Sequence, residues 1–168
     1  MLVNNAGTQM LTDLMSPEAP GLVAPLRREL SLNLDGVIAL TLGLMPVLLA
    51  QKRSIILNVT SGLALAPKQS APVYCASKAG IRSFTKALRY QARTRAPHLS
   101  IVEALPPLVA TGMTEGRGRG KISADECARA IVDGVLAGKE TIYVGKAKLL
   151  RALLAVSPRL AERIMRDG

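Results

Sequence analysis

Short, continuous apolar runs alternate along the chain with longer segments in which apolar residues recur at helical spacing. The short runs cover residues 1–6, 54–60, 100–105 and 141–145, and their length and β-branched content predict four strands. Strands that are apolar throughout and separated by helices favour a parallel sheet with helices on both faces. The pattern therefore predicts an α/β fold with a doubly wound parallel sheet, in a single domain.

Local signals mark the ends of the predicted helices. Pro72 suits the first turn of a helix, where a missing backbone N–H costs nothing. Ser123 begins another helix, because Glu126 three positions later completes a capping-box pattern, and Gly138 ends it. The predicted helices cover 25–51 with a bend at Pro46, 72–93, 123–138, and a basic amphipathic segment, 146–168, that is split at Ser157-Pro158.

The composition is that of a globular chain: of 168 residues, 49% are hydrophobic and 20% are charged. The longest apolar run, 37–50, is interrupted by Pro46 and is shorter than the ~18 residues of a membrane span, so no span is predicted. Cys75 and Cys127 have no metal-ligand spacing, and no metal site is expected. Two cysteines also give no disulfide framework, which favours a reducing, cytoplasmic setting.

The net charge of +10 raises the question of a nucleic-acid partner. Three tyrosines and one phenylalanine offer few stacking surfaces for bases. The basic residues are also spread along the chain, with a small concentration at Arg117, Arg119 and Lys121. A basic surface that aids solubility and attracts anionic ligands explains the charge, and we expect no nucleic-acid partner.

The candidate chemistry lies in Ser61, Tyr74 and Lys78, with Asn33 on an upstream helix. Tyr74 and Lys78 are four residues apart on a predicted helix, so their side chains share one face. A nearby ammonium stabilises a phenolate, and on this basis we predict that Lys78 lowers the Tyr74 pKa. Such a tyrosine acts as a general acid and base on an alcohol or carbonyl. Ser61 follows a strand, where open α/β sheets bind ligands.

Five motifs together resemble the short-chain dehydrogenase/reductase family. They are NNAG at 4–7, NLDG at 33–36, NVTSG at 58–62, YCASK at 74–78 and PPLVAT at 106–111. The chain resembles the C-terminal two-thirds of such a protein, with part of a Rossmann-like fold. Within the family it is most similar to poorly characterised bacterial oxidoreductases encoded with D-alanylation operons.

The resemblance implies a set of site residues, an NAD or NADP cofactor and a small carbonyl or alcohol substrate. Its catalytic residues would be Asn33, Ser61, Tyr74 and Lys78, with Tyr74 as acid/base and Asn33 holding a water that relays protons to Lys78. Residues 112–121 would form a mobile substrate lid. The second proline of Pro106-Pro107 departs from the family's Pro-Gly and removes a backbone N–H. The implied cofactor-binding residues are Asn4, Ala6, Gly7, Tyr74, Lys78, Pro106 and Thr111.

The family's glycine-rich phosphate turn does not occur in this sequence. The nearest candidate, 116–121, follows no strand and lies in the lid. We therefore expect an N-terminally truncated family member, and the residues that select NAD or NADP are not in it.

Two alternatives stay open at this stage. Besides the oxidoreductase that the resemblance implies, the first alternative is a catalytically silent fragment that forms homo-oligomers through its two long helices, and the second is a basic module that binds nucleic acid or a membrane surface. Only the net charge favours the second alternative.

Overall fold

The strands and helices alternate as predicted, and the four strands form one parallel sheet in the order β1-β2-β3-β4. The structure is a computed structural model that describes residues 1–116 and 118–167. The α/β prediction is confirmed. The strands are β1 Leu2–Asn4, β2 Ser54–Val59, β3 Leu99–Leu105 and β4 Thr141–Tyr143.

The two outer strands are shorter than predicted, at three residues each. β1 stops at Asn4, which is paired with Asn58 in the last aligned position of the β1–β2 ladder. Beyond it, the backbone of Thr8 is hydrogen-bonded to the side chain of Asn33 instead of to a strand. The apolar run predicts where β1 begins, but the β1–β2 pairing ends earlier than the run, before the segment that the Asn33 side chain holds.

Within the described residues, six α-helices connect the strands or follow them, and their ends agree with the local signals. The Ser123 side chain accepts a hydrogen bond from the Glu126 N–H at 3.1 Å, which is the cap expected of that pattern. Gly138 follows the same helix with φ +68°, a conformation that favours glycine. The helices are α1 Val23–Leu30, α2 Gly36–Leu49, α3 Pro72–Arg95, α4 Ala124–Leu136, α5 Lys146–Val156 and α6 Pro158–Asp167.

The first long helix is not regular. Between α1 and α2 the chain makes a π-helical turn, Ser31–Asp35, with the buried Asn33 at its centre. Pro46, the predicted site of a bend, lies inside α2. π-Helical turns are rare and occur mostly at functional sites.

The core is divided between the two faces of the sheet, because successive strand residues point in opposite directions. On one face, Ile56 and Ile101 pack against Leu48 of α2 and Ala92 of α3. On the other face, their neighbours Leu57 and Val102 pack in a second cluster with Cys127 of α4. The sheet is therefore covered on both faces, as a doubly wound fold requires.

By length and composition alone, the helical stretch Ala19–Leu49 would cross a membrane. Its mean hydropathy of 1.8 is also met by core helices of soluble proteins. In this fold Val37, Thr41 and Leu48 of α2 are buried, and the Thr41 hydroxyl accepts a hydrogen bond from Asn4 on β1. This side of the stretch thus packs on the sheet.

Buried polar side chains link the sheet to its helices. Asn4 of β1 donates to the Asn58 side-chain oxygen at 2.7 Å, and the Asn58 amide donates to Thr85 of α3 at 2.8 Å. On β3, the buried Glu103 carboxylate accepts from Arg82 at 2.6 Å and from the Thr60 hydroxyl at 2.8 Å. These bonds fix strands and helices to one another where hydrophobic contacts alone leave some freedom to slide.

The predicted lid, 112–121, is joined to the fold at its base. Ala110 donates its N–H to the Ile122 carbonyl at 2.9 Å, and the Ile122 N–H donates to Leu108 at 3.1 Å. Gly112–Thr114 form a short 3-10 turn, and the Lys121 ammonium donates to the Thr114 carbonyl. Arg117 lies outside the described residues, and the mobility of the loop stays a prediction.

Candidate active site

Side chains from three places meet near the carboxyl ends of β1 and β2. Ser61 follows β2, Tyr74 and Lys78 lie in the first two turns of α3, and Asn33 belongs to the π-helical turn. The predicted catalytic residues thus come from separate segments of the chain. Parallel strands with their carboxyl ends at one edge are the reason, since the loops that follow them gather there.

Tyr74 is buried, and the Ser61 side chain lies near its phenol. Burial raises the pKa of Tyr74 above its usual value, while the nearby Ser61 hydroxyl acts in the opposite direction. Cys75 and Glu29 raise it further through charge repulsion. The net direction is opposite to the lowering predicted from the Tyr74–Lys78 spacing, because spacing says nothing about desolvation.

The Lys78 side chain is buried beside Tyr74, with its Nζ 5.7 Å from the centre of the tyrosine ring. The ammonium donates to the Val59 carbonyl at 3.0 Å. Burial lowers the pKa of Lys78 from 10.5 to about 8. The ammonium still predominates at neutral pH, so a positive charge lies next to the phenol.

Asn33 holds the chain that follows β1. Its Oδ1 accepts from the Thr8 N–H at 2.9 Å, and its Nδ2 donates to the Thr8 carbonyl at 2.8 Å. The same amide donates to the Ser77 hydroxyl at 3.2 Å, and that hydroxyl donates to the Tyr74 carbonyl at 2.7 Å. A continuous set of hydrogen bonds therefore connects the end of β1, the π-helical turn and the helix that carries Tyr74.

Gly7 brings the backbone close to two of these side chains. A Cβ at this position would lie 3.2 Å from Asn33 Oδ1 and 3.4 Å from Lys78 Nζ. Both contacts would be tight, and Asn33 is held in place by its bonds to Thr8. The absence of a side chain at Gly7 thus lets the chain after β1 pack directly against Asn33 and Lys78.

The remaining predicted cofactor residues are placed differently. Asn4 is buried and bonded to Asn58 and Thr41, so it braces the sheet, and its Oδ1 has no partner. Ala6 is exposed. Pro106 is connected to the Ser61 loop, because its carbonyl accepts from the Gly62 N–H at 3.3 Å.

Thr111 is hydrogen-bonded within its own turn, where its N–H donates to the Thr114 hydroxyl. Its predicted role toward a cofactor stays a prediction. Within the described ranges, 1–116 and 118–167, no cluster of three or more His, Cys, Asp or Glu side chains is arranged to hold a metal ion.

Two residues near the site were not predicted from the sequence. Ser77 was read only as part of the YCASK motif, and its bonds to Asn33 and Tyr74 depend on tertiary contacts. Glu29 is almost fully buried, although the helical pattern gave no reason to place a carboxylate inside. It lies four residues before Asn33, which puts both on one helix face. The four-residue spacing from Asn33 was the one feature of the sequence that could have indicated that Glu29 lies near the site.

The family model described as short chain dehydrogenase matches residues 1–121. The uncharacterized oxidoreductase DltE of Bacillus subtilis is 35% identical over 172 residues, covering 98% of this chain and 66% of that protein. Human 17-beta-hydroxysteroid dehydrogenase type 3 is 29% identical, covering 96% of this chain and 51% of that protein. The chain thus spans between half and two-thirds of the length of these relatives.

Solved structures share the fold. A short chain dehydrogenase from Burkholderia cenocepacia, in complex with NADP, superimposes with a TM-score of 0.85 at 24% identity, covering 99% of this chain and 68% of that one. A short chain dehydrogenase/reductase from Burkholderia phymatum, in complex with NAD, gives a TM-score of 0.76 at 20% identity, covering 99% and 67%. At these identities the likeness concerns the fold.

Proposed function

Because this chain belongs to the short-chain dehydrogenase/reductase family, we propose that it is the catalytic part of an NAD(P)-dependent oxidoreductase. It would transfer a hydride between the nicotinamide and a small carbonyl compound or secondary alcohol. The observation that carries the proposal is the burial of Tyr74 near Ser61, with Lys78 Nζ 5.7 Å from the centre of the tyrosine ring. A phenol, a hydroxyl and a positive charge at one place suit proton transfer to a carbonyl oxygen.

The residues present fit the nicotinamide half of a dinucleotide. Lys78 Nζ has three N–H donors, and one of them donates a hydrogen bond to the Val59 carbonyl. The other two are suited to bind the hydroxyls of the nicotinamide ribose. The sequence contains no glycine-rich turn for the pyrophosphate, so this proposal assigns no residue to that part or to the choice between NAD and NADP.

When bound, the nicotinamide would supply or accept the hydride, and the chain itself would handle the proton. In reduction, the Tyr74 O–H bond breaks and its proton passes to the carbonyl oxygen. In oxidation, the Tyr74 phenolate takes the proton of the substrate hydroxyl. Ser61 donates a hydrogen bond to the same oxygen as its charge grows, and Lys78 stabilises the phenolate. Asn33 positions the end of β1 and, through Ser77, the helix that carries Tyr74.

A first experiment tests binding and turnover in the chain itself. Calorimetric titration with NADH and with NADPH measures cofactor affinity, and a panel of aldehydes and ketones then tests reduction. The same assays on the chain fused behind the N-terminal part of the Bacillus subtilis relative supply a phosphate-binding turn. Turnover in the fusion alone would support the proposal and show that the chain by itself is silent.

Replacing Tyr74 with phenylalanine removes the proton donor and keeps the ring. We expect turnover to fall about 100-fold or more, with cofactor affinity nearly unchanged. Tyr90→Phe is the matched control, because Tyr90 is exposed on the same helix. Turnover that survives in Tyr74→Phe would rule out this role.

We also propose a homo-oligomer and a cytoplasmic setting. Leu40, Leu44 and Val47 form an exposed apolar stripe along α2, and Tyr90 is exposed on α3, so the two long helices offer an apolar surface. Light scattering of the purified chain tests this, with Leu40→Glu/Val47→Glu expected to dissociate the oligomer. Val156→Glu, an exposed site on α5, is the control. An unchanged mass in the double variant would contradict the interface.

A further inference from the structure

The outer face of α5 is apolar, although it is exposed to solvent. Leu149 is 71% exposed and Val156 is 85% exposed, on the side of the helix opposite the buried Ala147. The two residues are seven positions apart, about two helical turns, so they share one face with the exposed Ala152 between them. These three residues form the outer stripe of α5. An exposed apolar surface of this kind marks a place where the protein contacts another apolar phase or molecule.

Basic side chains border the outer stripe. Lys148 precedes Leu149 by one residue and Lys146 precedes it by three, so at about 100° per residue the two lysines lie on opposite sides of the stripe. Both lysines are exposed. Arg151 is exposed as well, and its guanidinium lies 4.9 Å from the centre of the Tyr143 ring. Apolar residues with cations on either side are typical of a helix that lies in the interface of an anionic bilayer.

The next helix, α6, adds to both properties. It packs on α5, and we call the pair the α5–α6 hairpin. Leu160 and Ile164, one turn apart on α6, are 46% and 55% exposed, and the exposed Arg163 adjoins Ile164. Residues 146–166 contain six Lys or Arg and a single acid, Glu162. The hairpin therefore presents exposed aliphatic side chains and a strong positive charge on the same element.

We propose that the α5–α6 hairpin binds the surface of a membrane that contains anionic lipids, with Leu149 and Val156 inserted between the headgroups and the acyl chains. The charge of the hairpin selects this occupant. A second copy would bring like charges together, because an isologous interface pairs a surface with itself. Nucleic acid would leave the aliphatic residues uncovered, and residues 146–166 contain no aromatic side chain on which bases could stack. The inference does not depend on the proposed function.

The inner side of the same hairpin contacts the candidate site. A Cβ at Gly62, the residue after Ser61, would lie 3.4 Å from Leu150 Cδ2 of α5. On α6, the Arg166 carbonyl accepts a hydrogen bond from the Gln69 N–H at 3.2 Å. Both contacts are made to the loop that connects Ser61 with the helix of Tyr74. A bilayer bound to the outer stripe would therefore lie on the far side of α5 from this loop, with the site close to the membrane surface.

Co-sedimentation with vesicles tests the inference on the whole chain. Vesicles of equal parts phosphatidylglycerol and phosphatidylcholine are compared with vesicles of phosphatidylcholine alone, at about 0.1 M salt. We expect binding to the anionic vesicles to be at least about 10-fold stronger. Leu149→Ser/Val156→Ser removes the inserted side chains and should weaken that binding about 10-fold or more. Val132→Ser/Leu136→Ser is the matched control, because it removes the same two residue types from exposed positions on α4.

A second pair of variants separates the charge of the hairpin from the charge of the whole chain. Lys146→Gln/Lys148→Gln should weaken binding to the anionic vesicles about 10-fold, since each lysine next to the headgroups contributes. Arg129→Gln/Lys139→Gln lowers the net charge equally at two exposed positions outside the hairpin. We expect this control to stay within about twofold of the wild type, because charges beyond a Debye length of the membrane are screened.

Tryptophan fluorescence reports insertion without the serine variants. The chain contains no tryptophan, so one introduced indole reports the surroundings of one position. Emission from Val156→Trp should shift to shorter wavelength when anionic vesicles are added, because the indole leaves water. Leu136→Trp is the control, since Leu136 is 80% exposed on α4, and its emission should not move.

The inference would be overturned if the chain did not bind the anionic vesicles, or if the control variants weakened binding as much as the hairpin variants. Emission from Val156→Trp that stays unshifted would overturn it as well. Light scattering without vesicles tests for a second copy: a lower mass in Leu149→Ser/Val156→Ser would assign the stripe to an interface between chains. Weaker binding of the same variant to a DNA duplex would assign it to nucleic acid, and either result would refute the membrane role.

Discussion

Replacing the buried Lys78 with methionine should make the chain more stable at neutral pH. Burial lowers the Lys78 pKa from 10.5 to about 8, so the folded state disfavours the ammonium form. At 1.36 kcal/mol per pH unit, this penalty is about 3 kcal/mol. The Val59 carbonyl loses its hydrogen bond in the variant, which costs about 1 kcal/mol. We therefore expect the free energy of unfolding to rise by about 2 kcal/mol at pH 7.

The pH dependence gives the sign of the effect. Below pH 8 both folded and unfolded chains carry the ammonium, and the wild type bears the full penalty. Between pH 8 and 10.5 the unfolded chain binds more protons than the folded one, so the stability of the wild type rises with pH. By pH 10 it should have gained about 2 kcal/mol through Lys78, and the advantage of the methionine variant should have disappeared.

Urea unfolding followed by circular dichroism at pH 7 and pH 10 measures these differences. Lys86→Met is the matched control, since Lys86 is exposed on the same helix, and its stability should stay within about 0.5 kcal/mol of the wild type. The reasoning would be refuted if Lys78→Met were less stable than the wild type at pH 7. It would be refuted equally by an advantage of the same size at pH 10.

Three further predictions concern packing and polar bonds, and urea unfolding measures each of them. Asn33→Ala removes three hydrogen bonds to Thr8 and Ser77 and should lower the free energy of unfolding by about 3 kcal/mol. Asn5 is exposed, and Asn5→Ala should lower it by less than about 0.5 kcal/mol. Equal losses in the two variants would contradict the assigned role of Asn33. Gly43 in α2 has free space around it, so Gly43→Ala should raise the free energy of unfolding by up to about 1 kcal/mol. Gly134→Ala in α4 places a Cβ 2.7 Å from Ile142 and should lower the free energy of unfolding. A rise in both variants would show that the α4–β4 contact is loose. Arg82→Met leaves the buried Glu103 without its cation and should lower the free energy of unfolding by about 3 kcal/mol. Arg93→Met breaks an exposed ion pair with Glu140 and should lower it by less than about 1 kcal/mol. A larger loss in Arg93→Met than in Arg82→Met would be inconsistent with the burial of Glu103.

The fold was largely predictable because its signals are local. Ser123 and Gly138 mark the limits of α4 by capping and by positive φ, which need no knowledge of the rest of the chain. The strand lengths were less predictable, since β1 ends where Asn33 binds the Thr8 backbone. A contact between residues so distant in sequence leaves no trace in hydrophobic periodicity.

The candidate site was predictable in its residues but not in its electrostatics. Motif spacing brought Ser61, Tyr74 and Lys78 to one place, and their side chains do meet there. The predicted direction of the Tyr74 pKa was wrong, because burial raises that pKa more than Ser61 lowers it. Glu29 was missed for a related reason: hydrophobic patterning places apolar residues inside and gives no sign of a buried carboxylate.

The π-helical turn at Ser31–Asp35 is equivalent to one extra residue in an otherwise α-helical rod. Deleting a single residue there would make the rod more regular and would raise its helical content. It would also turn α1 by about 100° relative to α2 and draw it in by about 1.5 Å, since each residue contributes that rotation and rise. Glu29 would then lose its hydrogen bond with the Met10 N–H. A more regular helix would thus disrupt the contacts that α1 makes in this fold. Single-residue deletions should therefore be tolerated less well in the π-helical turn than in α4.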